Sequence, residues 1–255
     1  MVLGEKTLLK LNGVSIGYAK EIYSGIEATA NGGEMIALVG ANGMGKSTLL
    51  RSISGLLKYR NGSIKLYGKA IEKYHPRQLA RHISYVISQS PRIRNFSLFE
   101  MVSAGCYDRS DWLGNINEKD YLRVQKTIEM VGLKEFEKRD TTELSDGEFQ
   151  RAAIARSLVQ NSDLILLDEP TAFLDLANKI LATKLLKEIA KQEKKTVIYS
   201  THDLLQAIKL CDKIWILGYN GFYEGDPVSL KERGAFDLMF KEPLFSFNDY
   251  SAGLF

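Results

Sequence analysis

Residues 40–48 read Gly-Ala-Asn-Gly-Met-Gly-Lys-Ser-Thr, and this stretch decides how the rest of the chain is interpreted. An apolar run of strand length, residues 35–39, precedes it. Leucine and isoleucine recur at helical spacing from Leu49 to Leu57 behind it. The glycines therefore lie at a turn that leads from a buried strand into a helix.

The residue types in this loop suit a phosphate group. Glycines at positions 40, 43 and 45 permit the backbone conformations in which successive amide N–H groups point into one concavity. Such a concavity binds anions, and the positive end of the following helix strengthens it. An incidental glycine-rich turn is the alternative, which the flanking strand and helix disfavour. We expect nucleotide contacts from Gly40, Ala41, Asn42, Gly43, Met44, Gly45, Lys46, Ser47 and Thr48, with the Lys46 ammonium on the β- and γ-phosphates and the Ser47 hydroxyl on Mg²⁺.

Composition narrows the possible classes of protein. The 255 residues are 45% hydrophobic and 25% charged, as in an ordinary soluble globular protein of one domain or one domain with a subdomain. A net charge of +3 gives no reason to expect nucleic acid as a partner. Cys106 and Cys211 are too far apart in sequence to indicate a zinc site or a disulfide framework. No signal peptide or apolar run of about 18 residues is evident, so any membrane span must come from another chain.

Strand and helix patterns alternate along most of the chain, which predicts an α/β core with a mostly parallel sheet. Residues 96–159 depart from this alternation, because they carry helical patterns with few strand signals, and they are expected to form a helical subdomain inserted into the core. The last segment, from Pro227, is too aromatic for a disordered linker. Strand patterns cover residues 8–18, 22–30, 35–39, 64–67, 83–87, 164–167, 196–200 and 213–217; helix patterns cover residues 76–81, 98–104, 121–131, 147–159, 176–192 and 204–210.

A second motif complements the phosphate loop. The apolar residues 164–167 end in Asp168 and Glu169. At a strand end beside bound phosphates, Asp168 can hold Mg²⁺ and Glu169 can polarise a water for attack on the γ-phosphate. Alone, such a pair is more often an ordinary strand exit, but with the phosphate loop more than 100 residues earlier the functional interpretation is favoured.

Together these motifs resemble those of ATP-binding cassette (ABC) ATPases over nearly the full length of the chain. Residues 40–47 resemble the Walker A loop, residues 164–169 the Walker B strand with its catalytic glutamate, and residues 144–148, Leu-Ser-Asp-Gly-Glu, the family signature. The resemblance implies an α/β P-loop NTPase core, with a mixed sheet, an N-terminal antiparallel β subdomain and an inserted α-helical subdomain. It implies a single domain over residues 1–255, in which residues 1–90 and 160–225 form the core, residues 91–159 the helical subdomain and residues 226–255 a tail.

The same resemblance assigns roles to isolated residues. It places Gln89 in the Q-loop as a Mg²⁺ or water contact with a catalytic role, and His202 as the switch histidine at the γ-phosphate. Tyr18 would stack on the adenine, and Asp175 lies in the D-loop. Simpler explanations exist: Tyr18 could pack under the sheet, Gln89 could be a solvated loop residue, and His202 could cap a turn or helix.

The signature departs from the family pattern at two positions. Asp146 and Glu148 stand where the consensus has glycine and glutamine. Glutamate is a mild change, whereas an aspartate close to phosphates should weaken ATP binding unless its carboxylate turns away. Ser145 and Gly147, which the resemblance implies face the γ-phosphate, are retained, so we expect reduced or unchanged activity rather than its loss.

Finer resemblance indicates a subfamily. Residues 75–86, 100–105 and 173–176 resemble the ATPases of importers for iron-siderophores, haem or cobalamin. Ser88 replaces the proline usual before the Q-loop glutamine, and residues 105–107, Gly-Cys-Tyr, depart from the common Gly-Arg. The family resemblance implies ATP and Mg²⁺ as cofactors, a head-to-tail homodimer, and a separate transmembrane permease at the cytoplasmic face of the cell membrane.

Two other classes of function stay open. One is a soluble ABC-type ATPase in iron–sulfur assembly, translation or DNA maintenance. A single cassette argues against the translation type, and the lack of a long heptad insert argues against the DNA-maintenance type. The other is a nucleotide-binding scaffold that hydrolyses poorly, which Asp146 makes conceivable but Glu169 and His202 disfavour.

Overall fold

The computed structural model describes residues 7–88, 90–111 and 115–239. Gln89 therefore lies outside the described residues, and so do the tail aromatics after residue 239. Within the described chain, no helix combines the length and the apolar character that crossing a membrane requires.

A four-stranded antiparallel sheet contains the N-terminal strands in the order β2-β1-β4-β5. Its register places buried apolar residues opposite one another: Leu9 pairs with Ala30 and Leu66, and Leu11 with Ala28. One face of this sheet is therefore the core face. The strands are β1 (Thr7–Gly17), β2 (Glu21–Asn31), β4 (Asn61–Leu66) and β5 (Lys69–Ala70).

A six-stranded sheet forms the second layer, in the order β10-β9-β3-β8-β7-β6. Five neighbouring strands are parallel, and β10 is antiparallel at the edge. Parallel strands place their carboxyl ends along the same edge, so the residues after β3, β7 and β8 meet there. The strands are β3 (Met35–Gly40), β6 (Ile83–Val86), β7 (Leu164–Leu167), β8 (Thr196–Ser200), β9 (Lys213–Gly218) and β10 (Gly221–Gly225).

Helices cover the parallel sheet and fill the segment between β6 and β7. The described part of that segment contains three helices, short 3₁₀ turns and a single isolated bridge between Ser97 and Asp140. Its apolar side chains, among them Leu98, Val124 and Ile154, join the core that lies on one face of the sheet. The helices are α1 (Lys46–Ile53), α2 (Pro76–His82), α3 (Leu98–Ser103), α4 (Glu118–Met130), α5 (Asp146–Val159), α6 (Leu176–Gln192), α7 (Leu204–Leu210) and α8 (Pro227–Glu232).

The predicted fold class is confirmed: a mixed sheet, an N-terminal antiparallel sheet and helices between β6 and β7 are all present. Helices α6 and α7 and strands β7 and β8 have the predicted bounds. Helix α4 begins three residues earlier than residue 121, because the Asn117 side chain accepts a hydrogen bond from the Asp120 N–H and caps the first turn.

Three elements have no counterpart in the sequence prediction. Strand β5 has only two residues, too few for a periodic pattern. Strand β10, Gly-Phe-Tyr-Glu-Gly, lies at the edge of the sheet, and it is a strand because it pairs with β9 rather than because of its own residue pattern. Helix α8 follows Asp226, whose side chain accepts from the Ser229 N–H, with Pro227 in its first turn. The segment from Pro227 thus begins with a capped helix.

Candidate nucleotide site

The phosphate loop joins β3 to α1 and owes its shape to glycines. Gly45 has φ 98°, and a Cβ there would lie 3.0 Å from Ile16 Cδ1. At Gly40, a Cβ would lie 2.8 Å from the Leu217 carbonyl oxygen of the neighbouring strand β9. Side chains at these two positions would therefore displace the loop. With glycine at both, the amide groups of the loop stay at the amino end of α1.

Lys46 points back across the loop that it follows. Its Nζ donates hydrogen bonds to the carbonyl oxygens of Gly40, at 2.9 Å, and Ala41, at 3.4 Å. Burial lowers the pKa of the Lys46 ammonium, and the nearby carboxylates of Glu169 and Asp168 oppose that shift. The cation is thus held at the mouth of an anion-binding loop, with no carboxylate hydrogen-bonded to it among the described residues.

Asp168 connects the end of β7 to the phosphate loop. Its Oδ1 accepts from the Ser47 hydroxyl at 2.9 Å and from the Ser200 hydroxyl at 2.8 Å. Its Oδ2 accepts from the Tyr85 hydroxyl at 3.3 Å. Hydroxyl and carboxylate oxygens are the ligands that Mg²⁺ prefers, so Ser47 and Asp168 fit that ion by their chemistry and by their proximity.

Tyr85 and Ser200 are site residues that the sequence did not single out. Burial and the adjacent Asp168 carboxylate raise the pKa of Tyr85 to about 12, so its hydroxyl stays protonated and donates to Asp168. Ser200 also accepts from the Glu169 N–H at 2.8 Å. Both residues belong to strands that flank β7. The sequence predicted these strands but not their order in the sheet, so it could not place either residue beside Asp168.

Glu169 and His202 lie together beside Asp168. His202 Nε2 is 2.9 Å from Glu169 Oε1, and an ionised carboxylate can only accept, so the ring N–H donates. Glu169 has φ 48°, the left-handed region that is unfavourable for a residue with a Cβ. This backbone conformation turns the residue out of the strand direction of β7, and both side chains are partly exposed, Glu169 at 30% and His202 at 46%.

Tyr18 lies at the turn between β1 and β2. Its ring is 54% exposed and does not pack under the sheet. Its hydroxyl accepts from Arg51 Nη1 at 3.2 Å, and its carbonyl accepts from Arg60 Nη1 at 2.7 Å. These contacts fix the residue and leave an aromatic face open to a planar ligand.

The signature forms the start of α5. Ser145 caps the helix, because the Glu148 N–H donates to its hydroxyl at 3.3 Å and its own N–H donates to Glu148 Oε2 at 2.8 Å. The backbone hydrogen bond from Ser145 lowers the pKa of Glu148. Glu148 thus completes a capping box, a role that explains a glutamate at this position.

Asp146 has a counterion that the sequence did not indicate. The Arg92 guanidinium donates to the Asp146 carboxylate and to the Leu144 carbonyl. The same guanidinium lies 4.9 Å from the centre of the Phe149 ring, within cation–π range. The expected repulsion between Asp146 and a phosphate is therefore reduced, because the aspartate carries a paired rather than a free charge.

The structure separates the predicted site residues into two groups. Ser145 hydrogen-bonds only with residues of α5 in the described chain, and Gly147 lies against the Asn178 side chain. Asn178 in turn donates to Asp175, which caps α6. The signature and Asp175 therefore form one group of contacts and the phosphate loop, Asp168, Glu169 and His202 form another, and the two groups meet at a cavity that Asp146 and Glu169 both line.

Comparison with known proteins assigns this arrangement to a family. The sequence pattern of the family described as "ABC transporter" matches residues 23–172, more than half of the chain. The chain belongs to the ABC transporter ATP-binding family. Members of this family hydrolyse ATP, so the ABC protein described here is a nucleotide-binding ATP hydrolase.

Similar proteins include ATP-binding proteins named for petrobactin import and for achromobactin transport. The petrobactin import ATP-binding protein FpuD of Bacillus anthracis is 40% identical over 183 residues, 71% of this chain and 67% of that protein. The achromobactin transport ATP-binding protein CbrD of Dickeya dadantii is 32% identical over 89% of this chain and 85% of its own length. The solved structure of cbiO1 from Clostridium perfringens, part of the ABC transporter complex cbiONQ, has a TM-score of 0.79 at 28% identity, over 91% of this chain and 95% of that one.

Proposed function

We propose that this ABC protein is the ATP-hydrolysing subunit of an importer for an iron-siderophore, haem or cobalamin-type cargo. The contact of Ser47 with Asp168 beside the Glu169–His202 pair carries the ATP-hydrolysing part of the proposal. The names of the relatives, petrobactin import and achromobactin transport, support the cargo class. On this proposal the protein works at the cytoplasmic face of the cell membrane through a separate permease.

The residues divide the chemistry among them. The phosphate loop and Lys46 would bind the phosphates, and Ser47 and Asp168 would hold Mg²⁺, which when bound would supply positive charge against the charge that develops on the transferred phosphoryl group. Glu169 orients a water and accepts its proton, while His202 holds the glutamate and contacts the γ-phosphate. Gln89, outside the described residues, is assigned to the same Mg²⁺ and water.

The second half of the site comes from a second copy of the chain in this proposal. Ser145 and Gly147 lie at the amino end of α5, whose positive end suits a phosphate, and they belong to a different group from the phosphate loop. Phe173 and Leu176, which flank Asp175, are 62% and 70% exposed, as expected of apolar residues that a partner covers. A head-to-tail homodimer places the signature of one copy over the loop of the other.

A soluble ABC-type ATPase stays the alternative from another class, and a poorly hydrolysing scaffold is a third. The scaffold hypothesis depended on an unpaired charge at Asp146, and the contact of Asp146 with Arg92 weakens it. Glu169 and His202 also lie together as hydrolysis requires. Neither feature separates an importer from a soluble ATPase, so partner identity is the discriminating measurement.

Purification with the products of the neighbouring genes tests the proposal. We expect the tagged chain to recover a multi-spanning permease, and we expect Glu169→Gln to recover the same permease while losing ATP hydrolysis. Uptake of labelled iron-siderophore, haem and cobalamin by membranes that contain the complex then identifies the cargo. Recovery of cytosolic partners alone would rule out import and favour the soluble ATPase.

A further inference from the structure

A groove outside the nucleotide site lies between α4 and the carboxyl ends of α5 and α6. It has a volume of about 320 Å³, the lower end of the range for small-molecule sites. Lys119, Arg123 and Lys126 of α4 line it, and so does Lys195 from a different part of the chain. We call this cavity the α4 groove.

The charges in the α4 groove are unbalanced. Four cationic side chains line it and Glu193 is its single acidic residue. Within residues 7–88, 90–111 and 115–239, none of the four cations forms an ion pair. Neighbouring cations behave differently, since Arg109 pairs with Asp108 and Asp120.

The cations of α4 are spaced closely enough to repel one another. Lys119, Arg123 and Lys126 are four and three residues apart, so they share one face of the helix. Like charges at these spacings repel one another on the surface of a helix. A bound anion would remove this repulsion.

Lys195 brings a partly desolvated charge to the same place. Its Nζ donates only to Asn161, to the carbonyl at 3.4 Å and to Oδ1 at 3.2 Å, among the described residues. Burial lowers the pKa of Lys195, and the Asp163 carboxylate opposes that shift. A second negative charge in the groove would compensate this cation better than the neutral amide does.

The groove also has an apolar surface. Leu122 and Met130 line it and are 58% and 41% exposed, and Leu158 of α5 also lines it and packs against the core. Inorganic ions gain nothing from such side chains, whereas an anion with an apolar body covers them. The lining therefore favours an amphipathic anion.

The position of the groove separates it from the phosphate loop. Lys195 immediately precedes β8 and Asn161 lies just before β7, so the groove is at the amino ends of the parallel strands. The phosphate loop is at their carboxyl ends. Helix α5 begins at the signature, α6 begins directly after its cap Asp175, and both helices end at the groove. The 14 residues of α5 span about 20 Å.

We propose that the α4 groove binds a small organic anion, a phosphate or carboxylate group on an apolar body, with the anionic group between the α4 cations and Lys195. The ligand bridges α4 and α5 on one side to α6 and β8 on the other. This assignment does not depend on the cargo or on the permease.

Phenyl phosphate is the probe, and calorimetric titration of the full chain saturated with ADP is the measurement, because ADP occupies the phosphate loop. We expect saturable binding that Arg123→Gln/Lys126→Gln weakens by about tenfold or more. The charge-matched control is Lys10→Gln/Lys65→Gln on β1 and β4, which should bind as the parent does. Inorganic phosphate should bind more weakly, and phenol should not bind.

Three results would overturn the assignment. These are the absence of saturable binding, equal binding by the groove variant and the parent, and equal binding of phenyl phosphate and inorganic phosphate. Co-sedimentation with phosphatidylglycerol vesicles serves as a separate arm. If vesicle binding requires Arg123 and Lys126 while phenyl phosphate does not bind, the small-ligand assignment is wrong and a lipid headgroup takes its place.

Discussion

Arg92 is the counterion of Asp146, and it joins the segment that follows β6 to the signature at the start of α5. The guanidinium donates one hydrogen bond to the charged Asp146 carboxylate and another to the neutral Leu144 carbonyl, so the contact depends on both the charge and the planar geometry of the arginine. Arg92, Asp146, Phe149, Glu169 and Phe173 line one cavity of about 360 Å³. The altered signature is therefore part of a cluster that reaches the Walker B segment.

Removing Arg92 should expose the charge of Asp146. We expect Arg92→Gln to weaken the proposed ATP-dependent dimerisation by about two- to fivefold, the range for a solvent-exposed ion pair. Asp146→Asn should leave dimerisation unchanged or raise it, and the double variant should return to the parent level. Ultracentrifugation with ATP measures all three. A double variant no better than Arg92→Gln would show that the arginine acts through Leu144 and Phe149 instead.

The role of Glu169 predicts a separation of binding from turnover. Glu169→Gln keeps the shape and the hydrogen bond to His202 but lacks a basic carboxylate, so ATP hydrolysis should fall by about 100-fold or more. ATP binding should persist and a closed dimer should accumulate. Steady-state phosphate release and size-exclusion chromatography measure these effects, with the exposed Glu232→Gln as control. Hydrolysis at the parental rate would refute the assignment of the base.

Gly147 tests the contact between the signature and α6. A Cβ at this position would lie 2.8 Å from Asn178 Cγ, and Asn178 is held by Asp175 and Arg151. Alanine normally stabilises a helix relative to glycine, but here overpacking should lower the free energy of unfolding by about 1–3 kcal/mol.

Urea unfolding of Gly147→Ala measures that loss, and Asn178→Ala in the same chain should recover part of it. Gly32→Ala is the control, because a Cβ at Gly32 meets nothing within 4 Å. A Gly147→Ala variant as stable as the parent would mean that Asn178 moves aside without cost.

Asp212 should make stability depend on pH at the acid end. Burial alone would raise its pKa, but the hydrogen bonds from the Met35 N–H, Lys191 and Lys187 outweigh burial and hold the pKa below its ordinary 3.8. A depressed carboxyl pKa contributes stability above the unfolded value and loses it as pH falls through the folded value.

Asp212→Asn should therefore lower the free energy of unfolding by about 1 kcal/mol at neutral pH. The difference from the parent should shrink below pH 3.8. Urea titrations across this range measure it. A difference that stays constant under acid conditions would contradict the charged role of Asp212.

The order of apolar and polar residues along the chain predicts much of this fold. Around Lys46, a strand, a glycine-rich loop and a helix follow one another directly, and each has a recognisable local pattern. Ser47 and Asp168 could be expected to meet although they are 121 residues apart, because parallel strands end at one edge of a sheet. Tyr85 and Arg92 could not be expected, since their contacts depend on strand order and on the path of an irregular segment. The α4 groove forms where three separate helices meet, and the spacing of residues within one helix does not reveal which other helices it packs against.

The left-handed backbone conformation of Glu169 lowers the stability of the fold at the position where the proposed mechanism needs a carboxylate. A residue with a Cβ in this conformation costs about 1–2 kcal/mol, whereas glycine adopts it freely. A search for variants that survive heating should therefore recover Glu169→Gly, and the survivors should be inactive. Thermal selection without an activity screen would remove the carboxylate to which the proposed mechanism assigns the role of base.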